Sequence, residues 1–108
     1  MSLYFSYIKE SRGLDCVSGQ NGFVTFKING EECYIEDIYI VDEHRKSGIG
    51  SNLMDKVVIR AKEKGCKFLS ATVGCRITNP EVSLMSCFGY GFKILAAAND
   101  IILLKMEL

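Results

Sequence analysis

The 108-residue chain has no surplus charge of either sign, thirteen basic side chains standing against thirteen acidic ones. Without a net positive field there is nothing to hold a polyanion at long range, so nucleic acid is not an expected partner. Histidine occurs once, as His44, and the five cysteines (Cys16, Cys33, Cys66, Cys75 and Cys87) form no C-x-x-C pair. Ligand spacing of the zinc type is therefore missing and no metal is expected. An odd set of thiols without framework spacing reads as reduced and mostly buried. No 18 apolar residues run together, and Met1-Ser2-Leu3-Tyr4-Phe5-Ser6 lacks the basic stretch and long apolar run of a signal peptide. The expectation is a cytoplasmic protein with no membrane partner. Linkers, low-complexity tracts and repeats are also missing, and at 48% hydrophobic the whole of 1–108 is expected as a single domain with a real core.

What is present is a succession of short patterned segments. Leu3–Ile8, Gly22–Ile28 and Glu32–Val41 alternate apolar and polar residues and are expected strands, with a turn and short strand over Ser11–Gly22. Asn29-Gly30 suits both corners of a type I′ turn and predicts an antiparallel hairpin. From Ser51 to Lys64 the period changes: Leu53, Met54, Val57, Val58 and Ala61 recur at helical spacing, and Gly65 follows a cation in the last turn. Phe68–Val73, directly after this helix, is expected to lie parallel to Glu32–Val41 in a β-α-β unit. Asn79-Pro80-Glu81 reads as a helix start, since proline is tolerated in the first turn, and that helix should stop near Gly89 or Gly91. Ile101–Leu108 is the expected last strand. The order is β, β-β hairpin, α, β, α, β, an α/β fold whose apolar C-terminal run also predicts an exposed edge or patch and a homodimer.

The informative glycines stand between a strand and a helix, in Arg45-Lys46-Ser47-Gly48-Ile49-Gly50 followed by Ser51. The first amides of a helix have no intrahelical partner and sit at the positive end of its dipole, so successive N–H groups from Ser47 to Ser51 could converge on a phosphate. Arg45 and Lys46 add mobile positive charge. Two glycines and a charged pair also suffice for a plain strand-to-helix turn. Other phosphate loops do not fit: there is no G-x-x-x-x-G-K-[ST] run, and the third glycine of a dinucleotide fingerprint would fall at Leu53.

Tyr34-Ile35-Glu36-Asp37-Ile38-Tyr39-Ile40 followed by Arg45-Lys46-Ser47-Gly48-Ile49-Gly50, and the stretch onward to about Phe92, resembles the acyl-CoA-binding core of the GNAT superfamily of N-acetyltransferases, whose signature is [QR]-x-x-G-x-[GA]. The resemblance implies a mixed, splayed β-sheet with an antiparallel N-terminal hairpin. Acetyl-CoA would lie between two parallel strands, about Ile35–Val41 and Phe68–Val73, with its pyrophosphate on the glycine loop. Pantetheine would bond backbone groups near Ile38 and Ile40. Asn79 resembles the asparagine that touches the CoA arm, and Gly91-Phe92 a recurrent pair after that helix.

Acetyl transfer to an amine needs that amine neutral, which favours a general base, while backbone N–H groups can polarise the thioester. Glu36 is the candidate base, because alternation sets it on one strand face with Ile35, Asp37 and Tyr39 on the other, and the resemblance places an acidic residue there. It reads equally as a solvated carboxylate or a lysine's partner. Family members often carry a helix tyrosine that protonates the departing thiolate; counting from Gly91-Phe92 puts Cys87 at its place, counting from Asn79 puts Ser86 there. Water, Cys87 or Tyr90 would have to serve, although Cys87 also reads as a small core residue and His44 as a surface one. The 25 or so residues between Leu3–Ile8 and Glu32–Val41 leave no room for the two helices that usually wall the acceptor pocket. Two functions stay open: an acetyltransferase with an open acceptor side, suited to a protein or peptide amine or completed by a second subunit, or an acyl-CoA-binding regulatory or interaction protein with little or no turnover.

Overall fold

A computed structural model describes residues 3–41, 48–76 and 79–108. The elements run α1 (Leu3–Arg12), β1 (Asp15–Ser18), β2 (Gly22–Asn29), β3 (Glu32–Ile40), α2 (Ile49–Glu63), β4 (Phe68–Gly74), α3 (Pro80–Tyr90), β5 (Lys93–Ala98) and β6 (Ile101–Glu107). The six strands form one mixed sheet in the order β1-β2-β3-β4-β6-β5, parallel only between β3 and β4. The mixed α/β architecture is thus the expected one. No helix among the described residues is long and apolar enough to cross a membrane.

α2 forms where its period predicts. Leu53, Met54, Val57 and Ala61 are buried against Val24, Phe26, Cys33, Ile35 and Leu69 of the sheet. Its end is a Schellman turn: Gly65 has φ +83, its N–H bonds Lys62 O at 3.1 Å, and the Cys66 N–H bonds Ala61 O at 2.9 Å. Leu84, Cys87 and Tyr90 of α3 pack against the same core.

Three local expectations are corrected. Leu3–Ile8 is helix, not strand. Ile8, buried at 1% exposure, and Phe5, whose ring lies 5.4 Å from that of Phe23, are spaced i, i+3, while Leu3, Tyr4 and Tyr7 face outward. Packing of that one stripe overrides β-prone aromatics, and Gly13 at φ +68 stops the helix by bonding Lys9 O. The β2–β3 corner is Gly30-Glu31 rather than Asn29-Gly30: Asn29 pairs with Glu32, and Gly30 takes positive φ. The turn with two positive-φ corners is at Asn99-Asp100 (φ 55 and 64), which joins β6 to the strand missing from the expected order, β5. Its Ala96-Ala97-Ala98 favours helix in isolation, so pairing to β6 is what makes it a strand.

Cys33 is fully buried on β3, and burial, with Cys66, Asp15 and Glu32 adding charge, pushes its thiol up to about 12 from 9.0. A raised acid is protonated in the folded state. The stability this contributes is complete below pH 9 and is lost as pH rises toward 12. Denaturation midpoints should fall across that window, and Cys33→Ala should fall less steeply; parallel slopes would assign the loss elsewhere.

Candidate active site

β3 and β4 are held together at three pairs only, Glu32↔Phe68, Cys33↔Leu69 and Tyr34↔Ser70. Tyr34 Oη and Thr72 Oγ1, 2.9 Å apart, and the Ser70 hydroxyl donating to Glu32 Oε2 tie this end further. Beyond it no pair joins the described residues of β3 to those of β4, although β2 and β6 keep both strands extended on their outer sides. A gap between parallel strands is the result.

The orientation of β3 in the gap follows from its ladder to β2. Val41 N–H bonds Asn21 O at 2.9 Å, so the hydrogen-bonded pairs fall at Val41, Tyr39 and Asp37. Antiparallel alternation then turns the peptide groups of Ile38 and Ile40 toward the β4 side. Between Thr25 and Phe26 the register shifts, Thr25 facing Asp37 and Phe26 facing Ile35, which leaves Glu36 as the extra residue of a β-bulge. The bulge resets the alternation, a correction to the expected faces. Ile35 is buried beneath α2, whereas the Tyr39 ring lies 5.9 Å from Phe23 on the α1 side and Asp37 Oδ2 accepts from Thr25 Oγ1 at 3.3 Å. Glu36 also reaches the α1 side, its Oε1 3.3 Å from Arg12 Nη2.

α2 starts at the open end of β3. Gly48, at φ +86, stands at the cap position, and among the described residues no side-chain cap bond is made there and the first turn holds no acidic residue. The positive end of the helix dipole is therefore uncompensated by the described residues, as an anion site requires. Gly48 and Gly50 differ in what they need. Positive φ demands glycine at 48, but Gly50 is helical, and among the described residues a Cβ there would meet only Ile38 Cδ1 at 3.9 Å, ordinary contact. Nothing in the described residues requires glycine at 50. Ile49 packs against the core and Ser51 is exposed beside it. Arg45, Lys46 and Ser47, with His44, lie outside the described residues.

Asn79 stands at the N-terminus of α3 with φ 53 and makes no side-chain cap bond. Cys87 is half-buried, its thiol pushed up by burial. The Tyr90 phenol donates to Asp55 Oδ1 at 2.6 Å, and burial followed by this carboxylate raises it. Both side chains pack toward α2, and a raised acid gives up its proton less readily. Sequence reasoning did not reach the Arg12–Glu36 or Tyr90–Asp55 pairs; each joins residues 24 or more positions apart, with no local pattern to signal it. Two cavities, one between β1 and α2 and one beside the β5–β6 turn, touch neither Ile38 nor Gly50.

Residues 21–90 match the family model described as "Acetyltransferase (GNAT) family". The chain belongs to this family. Thialysine N-epsilon-acetyltransferases from Bos taurus and Mus musculus are 46% and 39% identical over 44 residues, 41% of this chain. The match spans 26% of those relatives' length. Among solved structures, the PaiA N-acetyltransferase of Thermoplasma acidophilum in complex with coenzyme A has a TM-score of 0.80 at 18% identity, over 98% of this chain and 69% of that one. A GNAT family acetyltransferase from Elizabethkingia anophelis with acetyl-CoA bound has 0.70 at 22%, over 95% and 82%. Family members thus share this fold across almost the whole chain.

Proposed function

We propose that this GNAT-family chain binds acetyl-CoA along the β3–β4 gap and transfers its acetyl group to an amine. The observation that carries the reading is the parting of two parallel strands beside a helix start that no described side chain caps. The amides of Gly48, Ile49, Gly50 and Ser51, with Arg45, Lys46 and Ser47 before them, take the pyrophosphate. Peptide groups of Ile38 and Ile40 take the pantetheine arm as a strand would, and Asn79, whose side chain makes no cap bond, reaches it from α3.

The amine attacks the thioester carbonyl, its proton passes to Glu36 directly or through one water, and the C–S bond breaks to release CoA. Amides beside the bulge steady the developing oxyanion. Cys87 and Tyr90 are poorly suited to return a proton to the thiolate, because burial raises both and Asp55 holds the phenol. Water serves that step. The acceptor is an amine, of the lysine side-chain class if it follows the relatives' name, presented by a protein or peptide to an open side. Cytoplasmic residence is supported by five free cysteines.

The same protonation chemistry favours a second reading, an acyl-CoA-binding regulatory protein without turnover. Acetyl-CoA at 100 times its dissociation constant should stabilise the protein by about 2.7 kcal/mol under either reading. Release of free CoA thiol with an amine panel separates them. Absence of any thermal shift sinks both.

A further inference from the structure

The cavity between β1 and α2 lies at one edge of the sheet, with β2 between it and the β3–β4 gap, and its walls are of two kinds. One wall is the outer edge of β1. Gly19 N–H bonds Gly22 O at 2.9 Å, so the hydrogen-bonded pairs of this hairpin fall at Gly19, Val17 and Asp15. Antiparallel alternation then turns the N–H and C=O groups of Cys16 and Ser18 away from β2. The ladder from Asp15↔Phe26 to Ser18↔Phe23 is regular, without a bulge to twist the edge away. β1 is the last strand on this side, and no described residue pairs with its outward groups.

The other wall is α2. Lys56, Ile59, Arg60 and Glu63 stand at i, i+3, i+4 and i+7, one stripe of the helix, and all four are exposed. Among the described residues neither Lys56 nor Arg60 has an ion-pair partner. Two cations and an apolar side chain thus line a groove with a strip of open backbone, about 460 Å³ in volume and within the roughly 300–1,000 Å³ of ligand sites. The spacing selects the ligand. α2 connects parallel strands and so runs back along them. Its four-residue step from Lys56 to Arg60 is about 6 Å of rise. Alternate residues of a strand lie about 6.7 Å apart and point to one side. A segment with acids at i and i+2 can therefore meet both cations while its backbone meets the edge.

We propose that the groove between β1 and α2 docks an extended acidic peptide segment of a partner protein, which adds to β1 as a strand and sets acidic side chains at i and i+2 on Lys56 and Arg60. Main-chain bonds to Cys16 and Ser18 supply the pairing, and the charges supply the choice of sequence. The methylenes of the two acids cover Ile59. Glu63, a further turn along the stripe, repels an acid at i+4, which separates this ligand from a plain polyanion. Because the chain has no net charge, attraction is confined to the groove. Strand addition here leaves the gap proposed for acetyl-CoA open, so a docked partner and the co-substrate can be held together.

The test is fluorescence anisotropy with a labelled, end-blocked peptide of sequence Thr-Glu-Val-Glu-Val-Thr. Wild type should bind it with a dissociation constant below about 100 μM, as befits a weak specific contact. Lys56→Glu and Arg60→Glu, both at exposed positions, should each raise that constant about fivefold or more, since attraction to one acid is lost and repulsion gained. Lys62→Glu, the same charge change on α2 outside the groove, should leave it within about twofold. Two further probes of unchanged charge, N-methylated at both glutamates or at both valines, read the backbone. Only alternate N–H groups of an added strand face the edge, so one of these probes should lose binding and the other keep it. No saturation up to about 1 mM overturns the proposal. So does equal weakening by Lys62→Glu, or N-methylation that acts alike at both sets. The N-methyl comparison uses wild type and stands even where a variant fails to fold.

Discussion

Gly50→Asp is expected to remain folded while its dissociation constant for acetyl-CoA rises by about 10- to 150-fold, the range for losing one charge-assisted hydrogen bond of about 1.5–3 kcal/mol. The two effects have opposite physical signs, which is what makes the substitution informative. Position 50 is the second residue of α2 and helical, and among the described residues a side chain there meets only ordinary contact with Ile38. Replacing glycine by aspartate inside a helix gains roughly 0.1–0.4 kcal/mol in propensity, and a carboxylate near the N-terminus gains about 0.3–1 more. That carboxylate also occupies the ground proposed for pyrophosphate. Gly48→Asp is the less decisive experiment: at φ +86 any side chain is strained, so weaker binding would mix with distortion of the helix start. Calorimetric titration with thermal melts of both proteins reads the result. A Gly50→Asp protein that melts no lower than wild type and binds acetyl-CoA as tightly ends the assignment of this loop to phosphate.

Sequence and structure agree where information is local. The period of Leu53, Met54, Val57 and Ala61 describes a face of α2 that is buried, and Lys64-Gly65 marks an end that a Schellman turn confirms. The strand-to-helix succession was legible because one of its glycines, Gly48 at φ +86, marks the helix start directly. Residues 3–8 were misread because aromatic residues favour strands in general, while one contact stripe, Phe5 and Ile8 on the sheet, decides their state. β5 was missed for the converse reason: an alanine-rich segment becomes a strand only by pairing with β6. The bulge escaped alternation altogether. One extra residue, Glu36, reverses the facing of everything after it, so Ile35 and Asp37 are on opposite sides despite their even spacing.

That reversal bears on the largest kinetic effect. Glu36→Gln should keep its affinity for acetyl-CoA and lose about 100- to 10,000-fold in kcat/KM near neutral pH, the usual contribution of a positioned general base. The loss should shrink as pH approaches the acceptor's own pKa, about 10.4 for a lysine-type amine, because the amine then needs no base. Folding is a smaller concern. The Arg12–Glu36 pair is half-exposed on both sides and is worth on the order of 0.2–1 kcal/mol. The same pair supplies the control. Arg12→Ala removes the guanidinium but leaves the carboxylate in its bulge, so it should retain most of the activity that Glu36→Gln loses. Equal losses in the two variants would mean that the ion pair merely holds α1 on the sheet, and a pH-independent loss in Glu36→Gln would point the same way. Glu36 is the base if the carboxylate alone matters and its effect fades as the amine deprotonates.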